Sequence, residues 1–355
     1  MLLSDILTMR SPLRLATIAT ITSLLFAQPS IQQTYTKCDP LQQSCAADPA
    51  LGRSVFIDFT KGSSNEFTNE GNPTFSSNGA AFTVSAGGDA PQVQSNWYIM
   101  FGKYDVVMKA APGVGIVSSL VLQSDDLDEI DWEWVGGSND QVQTNYFGKG
   151  QTTTYDRGTT VNVDNSQGEW HTYSVEWTSE QIVWSIDGSA VRTLAAGDAD
   201  PGQYPQTPCQ LRIGSWSGGD PSNAPGTITW AGGPTDYSAG PFTMYVKSVS
   251  VTDYSTGSEY KYGDQSGDWT SIESTGGRVN GNVGGDAAPS PTSAVPFSPS
   301  ATVSAFYQPS DSATLTYTTY PGLPSGWTVN PTSGKVVPPS SAAPVSKHPP
   351  VRKQH

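Results

Sequence analysis

Charge is scarce in this chain: only 14% of its 355 residues are Asp, Glu, Lys or Arg, and the 18 basic residues are outnumbered by 32 acidic ones. A net charge of -14, with no Lys/Arg cluster before the extreme C-terminus, argues against nucleic acid, whose phosphates demand clustered cations. Histidine is rarer still. Of the 3 present, His171 alone precedes the C-terminal stretch, so a His-rich catalytic metal centre lacks its ligands and no cofactor is expected. His171 alternates with Tyr173, Val175 and Trp177 and reads as a packed strand histidine. No Gly-x-Ser-x-Gly elbow occurs near a helix, which disfavours a Ser-His-Asp hydrolase. With 3 cysteines the chain cannot build a disulfide-dense scaffold or a cysteine-rich accessory module. Cys38 and Cys45 are expected to pair into a small loop. Cys209 shares a strand face with Leu211 and Ile213 and reads as a buried, inert thiol. The apolar run at 15–27 is too short to span a bilayer. Amphipathic helices of ten or more residues and repeats of solenoid period are also missing.

What is abundant is aromatic and turn-forming: 10 Trp, 15 Tyr, 36 Gly and 27 Pro, the mix of a β-rich core with low-complexity flanks. Short strands are predicted at 55–59, 104–109, 117–122, 129–135, 171–177, 182–186 and 191–194, with Asp187-Gly188 as a hairpin turn between the last two. This pattern makes an all-β sandwich. Arg10 and Arg14 ahead of the apolar run suggest a signal peptide at 1–27, with Met1 and Met9 both open as its start, and hence secretion. Residues 28–50 form an N-terminal segment carrying the Cys38–Cys45 loop, and 51–262 the folded domain. From 263 to 355 Ser, Thr, Pro and Gly prevail, as in a disordered stalk. No Asn-x-Ser/Thr sequon with x other than Pro is present, and no hydrophobic tail of a lipid-anchor signal ends the chain.

The densest signal is Asp-Glu-Ile-Asp-Trp-Glu-Trp-Val-Gly-Gly at 128–137. Glu129, Asp131 and Glu133 stand two apart, so on a strand all three carboxylates share one face while Ile130, Trp132 and Trp134 share the other. Like charges in a row repel and must be compensated, which a merely solvated strand does not require. Two carboxyls flanking a sugar bond are the apparatus of glycoside cleavage. The outer pair lie about 13 Å apart at Cα on an ideal strand, so spacing alone does not choose between retention and inversion. Gly136-Gly137 reads as the turn that follows.

Glu-Ile-Asp-Trp-Glu resembles the Glu-x-Asp-x-Glu signature of glycoside hydrolase family 16. Its context is similar to the fungal Crh-type branch, cell-wall transglycosylases that join chitin to β-glucan. The likeness covers about residues 36–262 and rests also on Gly-Ile-Val-Ser-Ser-Leu-Val-Leu-Gln-Ser-Asp-Asp (115–126) and Glu-Trp-His-Thr-Tyr-Ser-Val-Glu-Trp (169–177). Arg-Ile-Gly-Ser-Trp-Ser-Gly-Gly-Asp (212–220) and Gly-Thr-Ile-Thr-Trp-Ala-Gly-Gly (226–233) complete it. The resemblance implies a concanavalin-like β-jelly roll whose curved inner sheet forms a substrate cleft. It implies a retaining mechanism with Glu129 as nucleophile, Glu133 as general acid/base and substrate contact, and Asp131 assisting Glu129.

On the strand at 209–216, Arg212, Gly214 and Trp216 share the face opposite Leu211 and Ile213, with Trp216 placed to stack on a pyranose ring and Gly214 leaving room. Thr227 is expected to open a further strand. By resemblance Arg212, Trp216 and Thr227 join Glu133 as substrate-binding residues. Core packing of Trp216 and a surface ion pair for Arg212 is the competing reading. The expected protein is a secreted cell-wall monomer that acts on chitin and β-glucan. An endo-acting glucan or chitin hydrolase and a non-catalytic lectin are the alternatives.

Overall fold

A computed structural model describes residues 36–152 and 156–282, together with the backbone of Thr328–Val329 and Val336–Val337, which pair with each other. The expected signal peptide at 1–27 and most of the expected tail lie outside the described residues. Among the described residues no helix is long and apolar enough to cross a membrane.

Two antiparallel sheets pack face to face as a jelly-roll sandwich. The seven-stranded sheet runs, in spatial order, Thr159–Asn162, Gln141–Phe147, Glu129–Val135, Ile116–Ser124, Cys209–Ser217, Gln92–Ile99 and Phe67–Glu70. The eight-stranded sheet runs Ser189–Ala195, Gln181–Ile186, His171–Trp177, Gly102–Lys109, Phe242–Asp253, Gly79–Val84 and Thr74–Ser76, with Ser54–Asp58 on the far half of Phe242–Asp253. Period-two alternation makes these strands: in Gly102–Lys109 every second residue is buried. Between the sheets Trp132 and Trp134 meet Tyr173 edge-on at 5.4 and 4.5 Å between ring centroids, so the apolar half of the acid-bearing strand is the centre of the core. Asp187 and Gly188 both take positive φ, 50° and 79°, which gives the primed turn expected for that hairpin.

Cys38 and Cys45 are disulfide-bonded, and Cys209 is fully buried with its thiol pushed up by burial. His171 is held between Asp187 (2.7 Å) and the Asp164 carbonyl (2.8 Å), a structural post. The boundary expected at residue 262 falls inside a third sheet of Asp48–Pro49, Glu259–Tyr262 and Ile272–Ser274. The described chain continues past it to Asn282, whose amide caps the carbonyls of Asp253 and Ser255. The three-residue strand was hidden because the Gly, Asp and Ser residues before it read as loop.

Candidate active site

Register turns the acid strand into three rows that cross the outer face of the seven-stranded sheet. Glu129 lies opposite Gln123 on one side and Phe147 on the other; Asp131 lies between Val121 and Asn145; Glu133 lies between Ser119 and Gln143. One strand further, Arg212 extends the Asp131 row and Gly214 the Glu133 row. Directly opposed side chains on one face are nearest neighbours, so each acid has its own pair of flanking groups. Most of these are neutral: Gln92, Gln94 and Gln210 continue the amide lining beyond Arg212. Arg212, Trp216, Ser119, Val121, Gly214 and Gln92 line a depression beside the acids.

All three carboxyls are nearly buried, at 4%, 1% and 7% exposure for Glu129, Asp131 and Glu133. Burial first, then the charge of Glu133, pushes Glu129 up to about 8, against hydrogen bonds from Asp131 and Gln123 and the nearby Arg212 cation. Burial and Glu129 push Asp131 well above the carboxylate range. Among the described residues no donor reaches either Asp131 carboxyl oxygen, which lies against Glu129 instead. Two unprotonated carboxylates so placed would only repel, so the pair keeps at least one proton. That proton belongs on Asp131. The Gln123 Nε2 donates to Glu129 at 3.0 Å, while Arg212 donates to Gln123 and fixes its amide. Each of these contacts favours charge on Glu129, whereas Asp131 has only the Arg192 cation to favour its charge and accepts no hydrogen bond. Of the two, Glu129 gives up its proton first and Asp131 keeps its own, the order a nucleophile needs.

Around Glu133 the groups differ. Ser119 Oγ reaches it at 3.5 Å and in turn accepts from Trp216 Nε1 at 3.3 Å. Trp216 is 8% exposed and belongs to a small apolar cluster with Val117 and Ala231, separate from the main core. Arg212 and Trp216 therefore stand on the face expected for them. Thr227 does not open a strand: it lies in the short helix Pro225–Trp230. Pro225 at the first turn and the positive-φ Gly232 and Gly233 after the helix set its limits, a signal present in the sequence. The helix instead brings Trp230 against Trp216, with ring centroids 6.2 Å apart, and its Nε1 donates to Gln143 at 2.9 Å. Gly214 is required for a reason other than ligand room, since a Cβ there would sit 2.7 Å from the Pro91 carbonyl. Gln123, Ser119, Gln143 and Trp230 are the site residues that sequence reasoning did not single out.

The acid strand is anchored at its start. Asp128 accepts from Lys149 Nζ, Gln206 N and Thr207 Oγ1, and Lys149 Nζ also lies 3.2 Å from Asp126. Three loops meet at the Asp128 carboxylate, immediately before Glu129. Among the described residues no group of three or more His, Cys, Asp or Glu is placed to hold a metal ion.

The sequence pattern of glycosyl hydrolases family 16 matches residues 61–232. The chain is 54% identical over 343 residues to Crh-like protein 4 of Botryotinia fuckeliana, covering 92% of this chain and 91% of that protein. It is 54% identical over 335 residues to Crh-like protein 4 of Aspergillus fumigatus, covering 88% and 73%. Among solved structures, Crh5 transglycosylase in complex with NAG superposes with a TM-score of 0.66 at 54% identity, over 67% of this chain and 99% of that one.

Proposed function

Because the chain belongs to glycosyl hydrolases family 16, in its Crh-type branch, we propose that it is a secreted, retaining transglycosylase of the fungal cell wall that cleaves chitin and passes the released chain to β-glucan or to chitin. The observation that carries this reading is the geometry of the acids: Glu129 and Glu133 share one face of one strand in a dry site, with Asp131 between them and Gln123 donating to Glu129 at 3.0 Å. Glu133 protonates the glycosidic oxygen as Glu129 attacks the anomeric carbon and forms a glycosyl-enzyme. Asp131 donates its hydrogen bond to Glu129 throughout and holds the charge that returns when the ester breaks. Glu133, now the base, takes the proton from the incoming hydroxyl, and a sugar hydroxyl in place of water gives a new linkage.

An acceptor outcompetes water when the cleft binds it well. Trp216 stacked on Trp230 offers an aromatic wall, and the amide rows match the mixed donors and acceptors of sugar hydroxyls. The buried Arg212 Nε, which meets no acceptor among the described residues, is a ready donor for a sugar oxygen. Thr227, half-buried on its helix, serves the wall from the Trp230 side. The chain acts as a monomer at the wall, with residues 1–27 as its secretion signal and 28–50 as a leading segment.

Incubation with a chito-oligosaccharide donor and a fluorescent laminarin-type acceptor tests the proposal. Labelled product that grows in size, and is lost in Glu129→Gln, is expected. Donor shortening with no labelled growth would leave a hydrolase, and a Glu129→Gln variant as active as its parent would remove the nucleophile.

A further inference from the structure

The two stacked indoles near Glu133 are not only a wall. Each spends its single N–H on the residue that flanks Glu133 from a neighbouring strand: Trp216 on Ser119 at 3.3 Å, Trp230 on Gln143 at 2.9 Å. Ser119 and Gln143 are the residues directly opposite Glu133 in the two ladders that hold its strand. The indoles themselves are fixed to one another, at 6.2 Å and an interplanar angle of 27°. The loop carrying Trp230 is tied down at its base, where Gly115 N donates to the Ala231 carbonyl at 3.1 Å and Thr235 N to Gly219 at 3.0 Å. An indole nitrogen only donates, so it commits the Gln143 oxygen and leaves the Gln143 NH2 as what that amide offers its neighbours. A carboxyl that must give and then retake a proton at one atom depends on such fixed neighbours.

We propose that Trp230 is a positioning residue for Glu133: it orients Gln143 on one side of the carboxyl while Trp216, through Ser119, closes the other, so that the stacked pair clamps the acid/base from both flanking strands. The inference rests on Glu133 being the acid/base. It assigns to the helix Pro225–Trp230 a part in proton transfer as well as in lining the cleft. Trp230 acts through Gln143 and touches no reacting atom.

The experiment uses the secreted full chain and two donors, a plain chito-oligosaccharide and the same oligosaccharide with a 2,4-dinitrophenyl leaving group, whose departure needs no proton. Trp230→Phe keeps the ring and removes the N–H. It is expected to lower kcat with the plain donor by about tenfold at unchanged KM, and to slow the first-turnover release of dinitrophenolate from the activated donor, which precedes the base step, by less than about threefold. Gln143→Met, on a half-buried cleft position, should reproduce this pattern, and the double variant should be no worse than either single one, the mark of one shared interaction. Equal losses on both donors, a raised KM with kcat held, additive losses, or no loss at all would overturn the clamp. Glu133→Gln is run alongside. If its first-turnover dinitrophenolate release falls as far as its turnover of the plain donor, the acid/base assignment has failed and not merely the clamp.

Discussion

Lys149→Met removes one ammonium from between two carboxylates that have no exposed side-chain surface. The Lys149 Nζ lies 2.8 Å from Asp128 and 3.2 Å from Asp126, and is itself only 12% exposed. Methionine preserves most of the stem, so the change is chiefly one of charge. Breaking a buried pair by deleting one partner costs about 3–5 kcal/mol, because the other charge stays buried. In a domain of this size that is a fall of about 6–20 °C in Tm, at about 2–4 °C per kcal/mol. The deficit must also depend on pH. Burial, then Asp126, holds Asp128 up at about 6 even with the lysine present, against an ordinary 3.8. Without the cation Asp128 moves higher still, so the variant's folded state takes up protons more readily than its unfolded state. Its deficit is therefore full at about pH 8 and shrinks as pH falls toward about 4, where a protonated Asp128 needs no partner. Calorimetric scans of parent and variant at both pH values measure it. A deficit of equal size at the two would refute the charge argument and assign the lysine's role to its stem. No deficit would mean that the three loops are held without it.

The parent itself should melt higher near pH 5 than near pH 9: Glu129 and Asp48 are pushed up to about 8 and Asp253 to about 7, in each case chiefly by burial, so the stability present below the ordinary carboxylate range is lost as pH rises through those values. A Tm rising from pH 5 to 9 would contradict this. If Asp131 acts as the protonated donor to Glu129, Asp131→Asn keeps a donor and Asp131→Leu does not, and the leucine variant should transfer about 10–100-fold more slowly than the asparagine one; equal rates by product analysis would place the proton elsewhere. Trp134→Ala, in a fully buried site against Trp132 and Tyr173, should cost about 3–5 kcal/mol in denaturant unfolding, and a loss below about 1 kcal/mol would mean that the inner face repacks around the void.

Much of this was legible in a period of two. Alternation alone put Glu129, Asp131 and Glu133 on one face and the tryptophans on the other, and it placed Arg212 and Trp216 opposite Leu211 and Ile213. The Asp187-Gly188 turn and the burial of Cys209 followed from equally local rules. What alternation cannot say is which strand lies beside which. Gln123 and Arg212 are separated by 89 residues and meet only because two strands pair. Ser119 and Gln143 gain their meaning from register with Glu133, which no local pattern encodes. Thr227 shows a different failure: Pro225 and the Gly232-Gly233 pair marked a short helix, but the alternation of Thr227, Ile228, Thr229 and Trp230 read as strand. Lys149 was invisible for the opposite reason, as an isolated lysine in a loop carries no periodicity at all.

The amide lining has a consequence for how the enzyme meets its polymer. Chitin and β-glucan bear no charge, and the residues that cross the cleft from Gln92 through Gln123 to Gln143 and Asn145 bear none either. The one cation among them, Arg212, is turned inward onto Gln123 toward the buried acids. Capture of the chain thus proceeds without long-range steering, and ions that shorten the Debye length have little there to screen. A chain whose net charge is -14 repels anions in the medium, while the groove itself is indifferent to ionic strength. Wall remodelling by this protein should therefore keep its pace across the swings in salinity that a fungus meets outside its membrane.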